Sequence, residues 1–209
     1  MSLLEIAAVL VSAFGVWLTT QRKISSWPVT LLACLLYALV FHRAKLYSDM
    51  LLQFLFGAFA VYGWWHWRRG LQEEGSVMVE RLSGLGLASG IAVGAVGSGV
   101  LGFLMARYTD AALPHIDAAL TIFSLVGTLW ATRKHIANWW LWIVADTIYT
   151  GVFIYKNLYL TAALYGFFVF LAVVGLRAWK KALREQEAGD PKPADVPAQN
   201  LAARESNAG

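Results

Sequence analysis

The sequence predicts an all-α membrane protein with seven transmembrane helices, arranged as two like-oriented triplets joined by a single helix. Three observations carry this. The 209 residues are 58% hydrophobic and only 14% charged, with a mean hydropathy of +0.56, whereas a soluble domain carries about 25% charged residues. The apolar residues gather in seven runs of the length needed to cross a hydrocarbon core, roughly 17 to 25 residues each. The chain also repeats itself, since a shift of 112 residues lays 5–67 on 117–179 without a gap.

The runs are 3–20, 25–42, 46–67, 82–105, 116–132, 138–155 and 159–179. The first lacks a basic leader and a small-residue cleavage site and is read as a spanning helix. Connections of a few residues between several runs predict tight antiparallel hairpins. A transmembrane domain of 1–181 is followed by a segment rich in Ala, Pro, Glu and Asp without apolar periodicity, so 182–209 is expected to be a disordered cytoplasmic tail.

Loop charges set the orientation. Arg22 and Lys23 follow the first run, Arg68 and Arg69 the third, and Arg133 and Lys134 the fifth. Arg177, Lys180, Lys181 and Arg184 close the seventh. The opposite side carries Arg43, Lys45, Arg107 and Lys156. The richer set belongs in the cytoplasm, which puts the N-terminus outside and the C-terminus inside. The net charge of +4 resides in these short clusters, a pattern that fits a lipid bilayer and not nucleic acid. The lone Cys34 lies within an apolar run and has no partner in the chain.

Within the repeat, Glu5 meets Asp117, Ser12 meets Ser124, Gly15 meets Gly127, Trp27 meets Trp139 and Tyr37 meets Tyr149. Gly63 meets Gly175, Trp67 meets Trp179, and Arg68-Arg69 meets Lys180-Lys181. The 18 identities in 63 positions exceed what apolar composition alone accounts for, because the acid, the tryptophans and the closing basic pair all stay in step. Repeat one is 3–69 and repeat two 116–181. The glycine-rich run 82–105 is a linker helix that restores orientation, and its small-residue spacing suits close helix packing. This 3+1+3 plan of parallel repeats is sugar-transporter (SWEET)-like, and such folds bind substrate near the midplane between repeats.

The stretch Asn138 to Tyr149, N-W-W-L-W-I-V-A-D-T-I-Y, places Asn138, Trp142, Asp146 and Tyr149 on one helical face. A carboxylate in hydrocarbon costs a few kcal/mol, so it faces a cavity or a partner. No basic residue lies at the depth of Asp146 in any run, so it is expected to meet a cationic ligand or to be held protonated. Trp142 is the preferred stacking residue, while Trp139 is placed equally between ligand stacking and an interfacial belt. Asp49 and Gln53 lie one turn apart on the third run. Gln53 offers both donor and acceptor; Asp49 could instead favour a helix start or pair with Arg43 or Lys45. Tyr37, Tyr149 and Tyr165 are wall residues. Glu5 and Asp117 are read as structural. The repeats differ where a site for an asymmetric ligand must: Asp146 meets Cys34, Asn138 meets Ser26, Trp142 meets Thr30 and Gln53 meets Tyr165.

The chain contains no phosphate-binding glycine loop, no metal-spaced His/Cys cluster and no nucleophile motif. The expectation is a transporter without catalytic residues, bound metal or cofactor, running downhill or coupled to an ion. A membrane scaffold or interaction protein, its polar groups serving only packing, is the alternative of a different class.

Q-R-K-I-S-S-W-P, L-Y-S-D-M-L-L-Q followed by Y-G-W-W-H-W, and R-K-H-I-A-N-W-W-L-W with L-Y-L-T-A-A-L-Y together resemble the PnuC family of bacterial vitamin transporters, over about residues 5–181. The resemblance implies an inner-membrane facilitator that imports nicotinamide riboside, drawn inward by a cytoplasmic kinase that phosphorylates it. It also implies a homo-oligomer, a trimer, and a site lined by Gln53, the N-W-W-L-W motif and the Asp146 position. Related members carry thiamine or riboflavin. The nicotinamide riboside pattern has asparagine near Ala33 and at Asp146; this chain has alanine and aspartate there. Aspartate suits the pyridinium of nicotinamide riboside, and the thiazolium and aminopyrimidine of thiamine at least as well.

Overall fold

The computed structural model describes residues 3–43, 47–70, 77–109, 113–155 and 157–189. They form seven helices: α1 (Leu3–Thr20), α2 (Ser26–Arg43), α3 (Tyr47–Arg68), α4 (Gly84–Tyr108), α5 (Pro114–Thr132), α6 (Ala137–Tyr155) and α7 (Tyr159–Gly189). Each apolar run of the sequence has become one helix. Five of them, α1, α2, α4, α5 and α7, are long and apolar enough to cross a membrane. The two that fall short, α3 and α6, carry Asp49, Gln53, Asn138 and Asp146, the polar groups assigned to the site. The seventh helix runs past the expected boundary at residue 182 and ends at Gly189. The rest of the tail, 190–209, lies outside the described residues.

The helices close into a ring. α1 packs on α2, α2 on α3, α3 on α5, α5 on α6, α6 on α7, and α7 returns to α1. The first helix of each sequence triplet therefore touches the third helix of the other. α4 stands outside the ring against α5. Its glycines admit the side chains of α5: a Cβ on Gly90 would lie 2.4 Å from Trp130, one on Gly94 2.3 Å from Phe123, and one on Gly102 2.6 Å from His115. The remaining surface of α4, with Leu85, Ile91, Val93, Val96, Val100 and Phe103, is exposed and suits lipid.

Positions 112 apart do the same physical job. Trp27 fills the space above Gly63, where a Cβ would meet the indole at 2.6 Å, and Trp139 fills that above Gly175 at 2.5 Å. Gly63→Ala and Gly175→Ala should each destabilise the protein by about 1–3 kcal/mol, the usual cost of overpacking, measured as a lowered melting temperature in detergent. Trp27 meets Trp67 edge-on, with ring centroids 5.3 Å apart, and Trp139 meets Trp179 edge-on at 5.5 Å. Trp67 and Trp179 then touch each other at 6.0 Å. The Nε1 of Trp67 donates to the carbonyls of Ala131 (3.2 Å) and Thr132 (3.1 Å) at the end of α5. The Nε1 of Trp179 donates to the carbonyl of Thr19 at the end of α1 (3.0 Å). Each tryptophan thus satisfies orphan carbonyls at the C-terminus of a helix in the other triplet.

This tryptophan layer closes the end of the bundle that bears the basic clusters, the basic end. The turns below it also match, with Arg22 and Lys134 both left-handed at φ 57 and 63. An extended strap, 77–81, lies across them. Val77 and Val79 are buried in the same apolar cluster as the four tryptophans. Glu80 pairs with the α5–α6 turn, its N–H donating to the Lys134 carbonyl (2.9 Å) and its carbonyl accepting from the Ile136 N–H (3.1 Å). Burial of His135 in this turn lowers its pKa, with Arg133 adding to that and Glu80 opposing. The extension of α7 holds the far side of the strap. The Gln186 amide both donates to and accepts from the Val79 backbone at 3.2 Å, and Arg81 forms a two-pronged salt bridge to Glu187 at 3.0 and 3.1 Å.

Candidate functional site

Away from the basic end, the ring encloses a group of aromatic and acidic side chains. Tyr149 on α6 and Tyr165 on α7 lie with ring centroids 4.7 Å apart. Phe153, one turn beyond Tyr149, meets Tyr165 at 5.0 Å, and Phe168 meets it edge-on at 5.9 Å. The one-turn spacing along α6 and the α6–α7 hairpin bring these rings together. Asp146 and Tyr37 are both within electrostatic reach of Tyr165. Tyr37 stacks on Phe41 at 6.0 Å, as its repeat counterpart Tyr149 stacks on Phe153 at 6.0 Å.

Asp146 is 6% exposed, and no salt bridge among the described residues involves it. Asp49 on α3 and Asp117 on α5 lie within electrostatic reach of Tyr149, together with Asp146, and the Ser124 side chain lies beside the Tyr149 phenol. Three carboxyl groups from three helices therefore lie within electrostatic reach of one tyrosine. Asp117 and Ser124 were not expected here. The sequence marks both as repeat-matched positions, with Glu5 and Ser12, and that symmetry reads as scaffold; only the approach of α3 to α5 reveals their place.

Toward the basic end, Trp142 packs beside Gly127 of α5, where a Cβ would lie 3.6 Å from the indole. One turn further, Asn138 is 1% exposed. Its amide nitrogen donates to the His135 carbonyl at 2.7 Å, and its Oδ1 is buried without a partner among the described residues. The expected face of α6 is therefore inward throughout, with Asn138 and Asp146 about 12 Å apart by helical rise. Trp139 sits in the tryptophan layer against Gly175 and Trp179, so its indole is engaged in packing. Gln53 is half-buried, one turn along α3 from the exposed Asp49. Of the tryptophans near helix ends, where an interfacial belt is expected, Trp64, Trp65 and Trp140 are exposed at the basic end, with Arg69 covering Trp65 at 3.6 Å, Arg68 over Trp64 at 5.7 Å and Lys180 over Trp140 at 5.2 Å, whereas Trp67 and Trp179 are buried in the core and not in a belt.

Aromatic walls, a buried carboxyl group and an open amide oxygen can hold a flat, polar or cationic molecule by stacking and hydrogen bonding. No group of three or more His, Cys, Asp or Glu among the described residues could hold a metal ion.

Comparison with known proteins agrees with the fold. The chain is 26% identical to the nicotinamide riboside transporter PnuC of Escherichia coli (strain K12), over 89% of this chain and 88% of that one. It is 25% identical to the riboflavin/roseoflavin transporter RibM of Streptomyces davaonensis, over 76% of each. The crystal structure of the vitamin B3 transporter PnuC shares the fold, with a TM-score of 0.71 at 24% identity, over 87% of this chain and 82% of that one. These relatives are transporters, not enzymes. The nicotinamide mononucleotide transporter family model matches residues 2–181, and the chain belongs to that family, the PnuC-type transporters its motifs resemble.

Proposed function

We propose that this protein is an inner-membrane facilitator that imports nicotinamide riboside. The observation that carries the reading is the Asp146 carboxyl group, buried within electrostatic reach of Tyr149 and Tyr165 and in no salt bridge among the described residues, which complements a cationic pyridinium. Trp142 would stack on the ring, and Asn138 and Gln53 would read its carboxamide, with Tyr37 and Asp49 at the outer wall. Trp139 is assigned to closure of the basic end and not to stacking. The same acidic setting suits the thiazolium of thiamine, the second reading, and disfavours uncharged riboflavin.

The ring supports a mechanism of alternating access. All seven helices span the membrane, and the two triplets form parallel, sugar-transporter-like repeats. The matched tryptophan, glycine and turn geometries support this. The basic end is cytoplasmic, which puts the N-terminus outside. Rocking of the triplets opens the site to either side in turn, and phosphorylation of the riboside by a cytoplasmic kinase makes the flux inward. The family resemblance supports a homotrimer. The reading of a membrane scaffold gains nothing from a buried carboxyl group in no salt bridge among the described residues.

Calorimetry of the detergent-solubilised protein with nicotinamide riboside, thiamine and riboflavin tests this. Saturable binding of nicotinamide riboside alone is the expected result. Binding of thiamine alone would transfer the assignment to that vitamin, and binding of riboflavin alone would remove the role given to Asp146.

A further inference from the structure

The strap between α3 and α4 has no role in the reading above, and its bonds are unevenly divided. To the second triplet it is held by two backbone hydrogen bonds at Glu80, by the Gln186 amide on Val79 and by the Arg81–Glu187 salt bridge. To the turn of the first triplet it is joined by a hydrogen bond from the Arg22 guanidinium to the Val77 carbonyl at 3.3 Å. The repeat counterpart of Arg22, Lys134, lies instead against Gly70 at the end of α3. Among the described residues the strap thus departs from the two-fold match of the basic end in its side-chain bonds, although Val77 and Lys23, like Glu80 and His135, are β-bridge residues. It also places the buried side chains of Val77 and Val79 in the tryptophan cluster, across the seam between the triplets.

We propose that residues 77–81 are the cytoplasmic gate of the transport path, carried by the second triplet and latched to the first by Arg22. The inference rests on the transport reading. A riboside leaving the site toward the cytoplasm must pass the four tryptophans and the two valines. Separating the triplets there breaks the Arg22–Val77 hydrogen bond while leaving the several bonds to the second triplet intact. The latch is a charge-assisted donor on a backbone carbonyl, stronger than a neutral pair yet reversible, as a gate that opens on every cycle requires.

Arg22→Gly is the informative variant, because glycine accepts the left-handed backbone at this position, so the side chain with its guanidinium is lost without backbone strain. Cys34→Ala would remove the native thiol, and Val77→Cys would place a reporter in the gate. In inside-out vesicles, Arg22→Gly should raise the labelling rate of this thiol by a membrane-impermeant maleimide about tenfold, the shift that one charge-assisted hydrogen bond can hold back. Arg22→Lys should restore most of the protection. An unchanged rate in Arg22→Gly would overturn the latch.

A second arm tests the gate itself. Lys23→Cys and Met78→Cys, both at exposed positions, would be bridged by a cleavable bismaleimide in proteoliposomes. Bridging should stop uptake of labelled nicotinamide riboside, and cleavage should restore it. Uptake that continues through the bridged protein would overturn the gate. Absence of uptake before bridging would instead count against the transport reading, with the labelling arm still deciding whether the strap opens.

Discussion

Replacing Asp146 with alanine should lower nicotinamide riboside uptake by about ten- to a hundredfold, the loss of one hydrogen-bonded charge partner. The protein should fold at least as well as before. An acidic group without a partner in an apolar bundle is a burden on stability, whether it ionises or takes up a proton. A packing group behaves oppositely: its removal leaves a cavity or an unpaired neighbour and lowers the melting temperature. Uptake in proteoliposomes and thermal unfolding in detergent, measured on one preparation, therefore separate a ligand contact from a structural one. Lost stability with uptake retained by the folded fraction would defeat the assignment. Asp146→Asn refines it, since the amide keeps the size and an acceptor but not the charge. Near-normal uptake by this variant would show that Asp146 acts through its hydrogen bond.

The largest effect on stability should come from the tryptophan layer. Trp67→Ala and Trp179→Ala each remove a fully buried indole and the hydrogen bond that joins the triplets. Each should cost about 3–5 kcal/mol, measured by denaturant unfolding in mixed micelles. The two losses should be close in size, because repeat-matched surroundings hold each ring. They should not add, because the rings touch. A large loss in one variant and none in the other would show that the repeat is a resemblance of sequence and not of energetics.

The helices, and the matched tryptophan and glycine positions 112 residues apart, were legible because both leave periodic traces. Apolar runs of spanning length fix each helix, and a constant offset of 112 residues fixes the correspondence. The inward face of α6 was equally legible, since Asn138, Trp142, Asp146 and Tyr149 follow the helical period. Contacts between triplets were not, because nothing in the spacing of Trp67 announces Ala131 as its acceptor. For the same reason Trp139 was left between ligand stacking and the interface, when its partner is Gly175. Asp117 and Ser124 were set aside because symmetry normally marks scaffold. The strap did leave a faint signal, with apolar Val77 and Val79 alternating with Met78 and Glu80 in the period of a strand, but a run so short is lost between two long helices. The extension of α7 to Gly189 was missed because hydropathy stops at the membrane, while Ala182, Leu183 and Gln186 still have a surface to cover.

The closed ring also constrains how the protein is made. The bond from Trp67 to Ala131 spans 64 residues and that from Trp179 to Thr19 spans 160. A ribosome delivers α1 long before its partner α7 exists, so the first triplet enters the bilayer with one flank uncovered and with Trp67 lacking its acceptors. Folding can therefore finish only when the last helix arrives, and a chain cut short after α6 would keep an open seam. Loss of α7 should leave not half a transporter but a substrate for the proteases that survey the membrane.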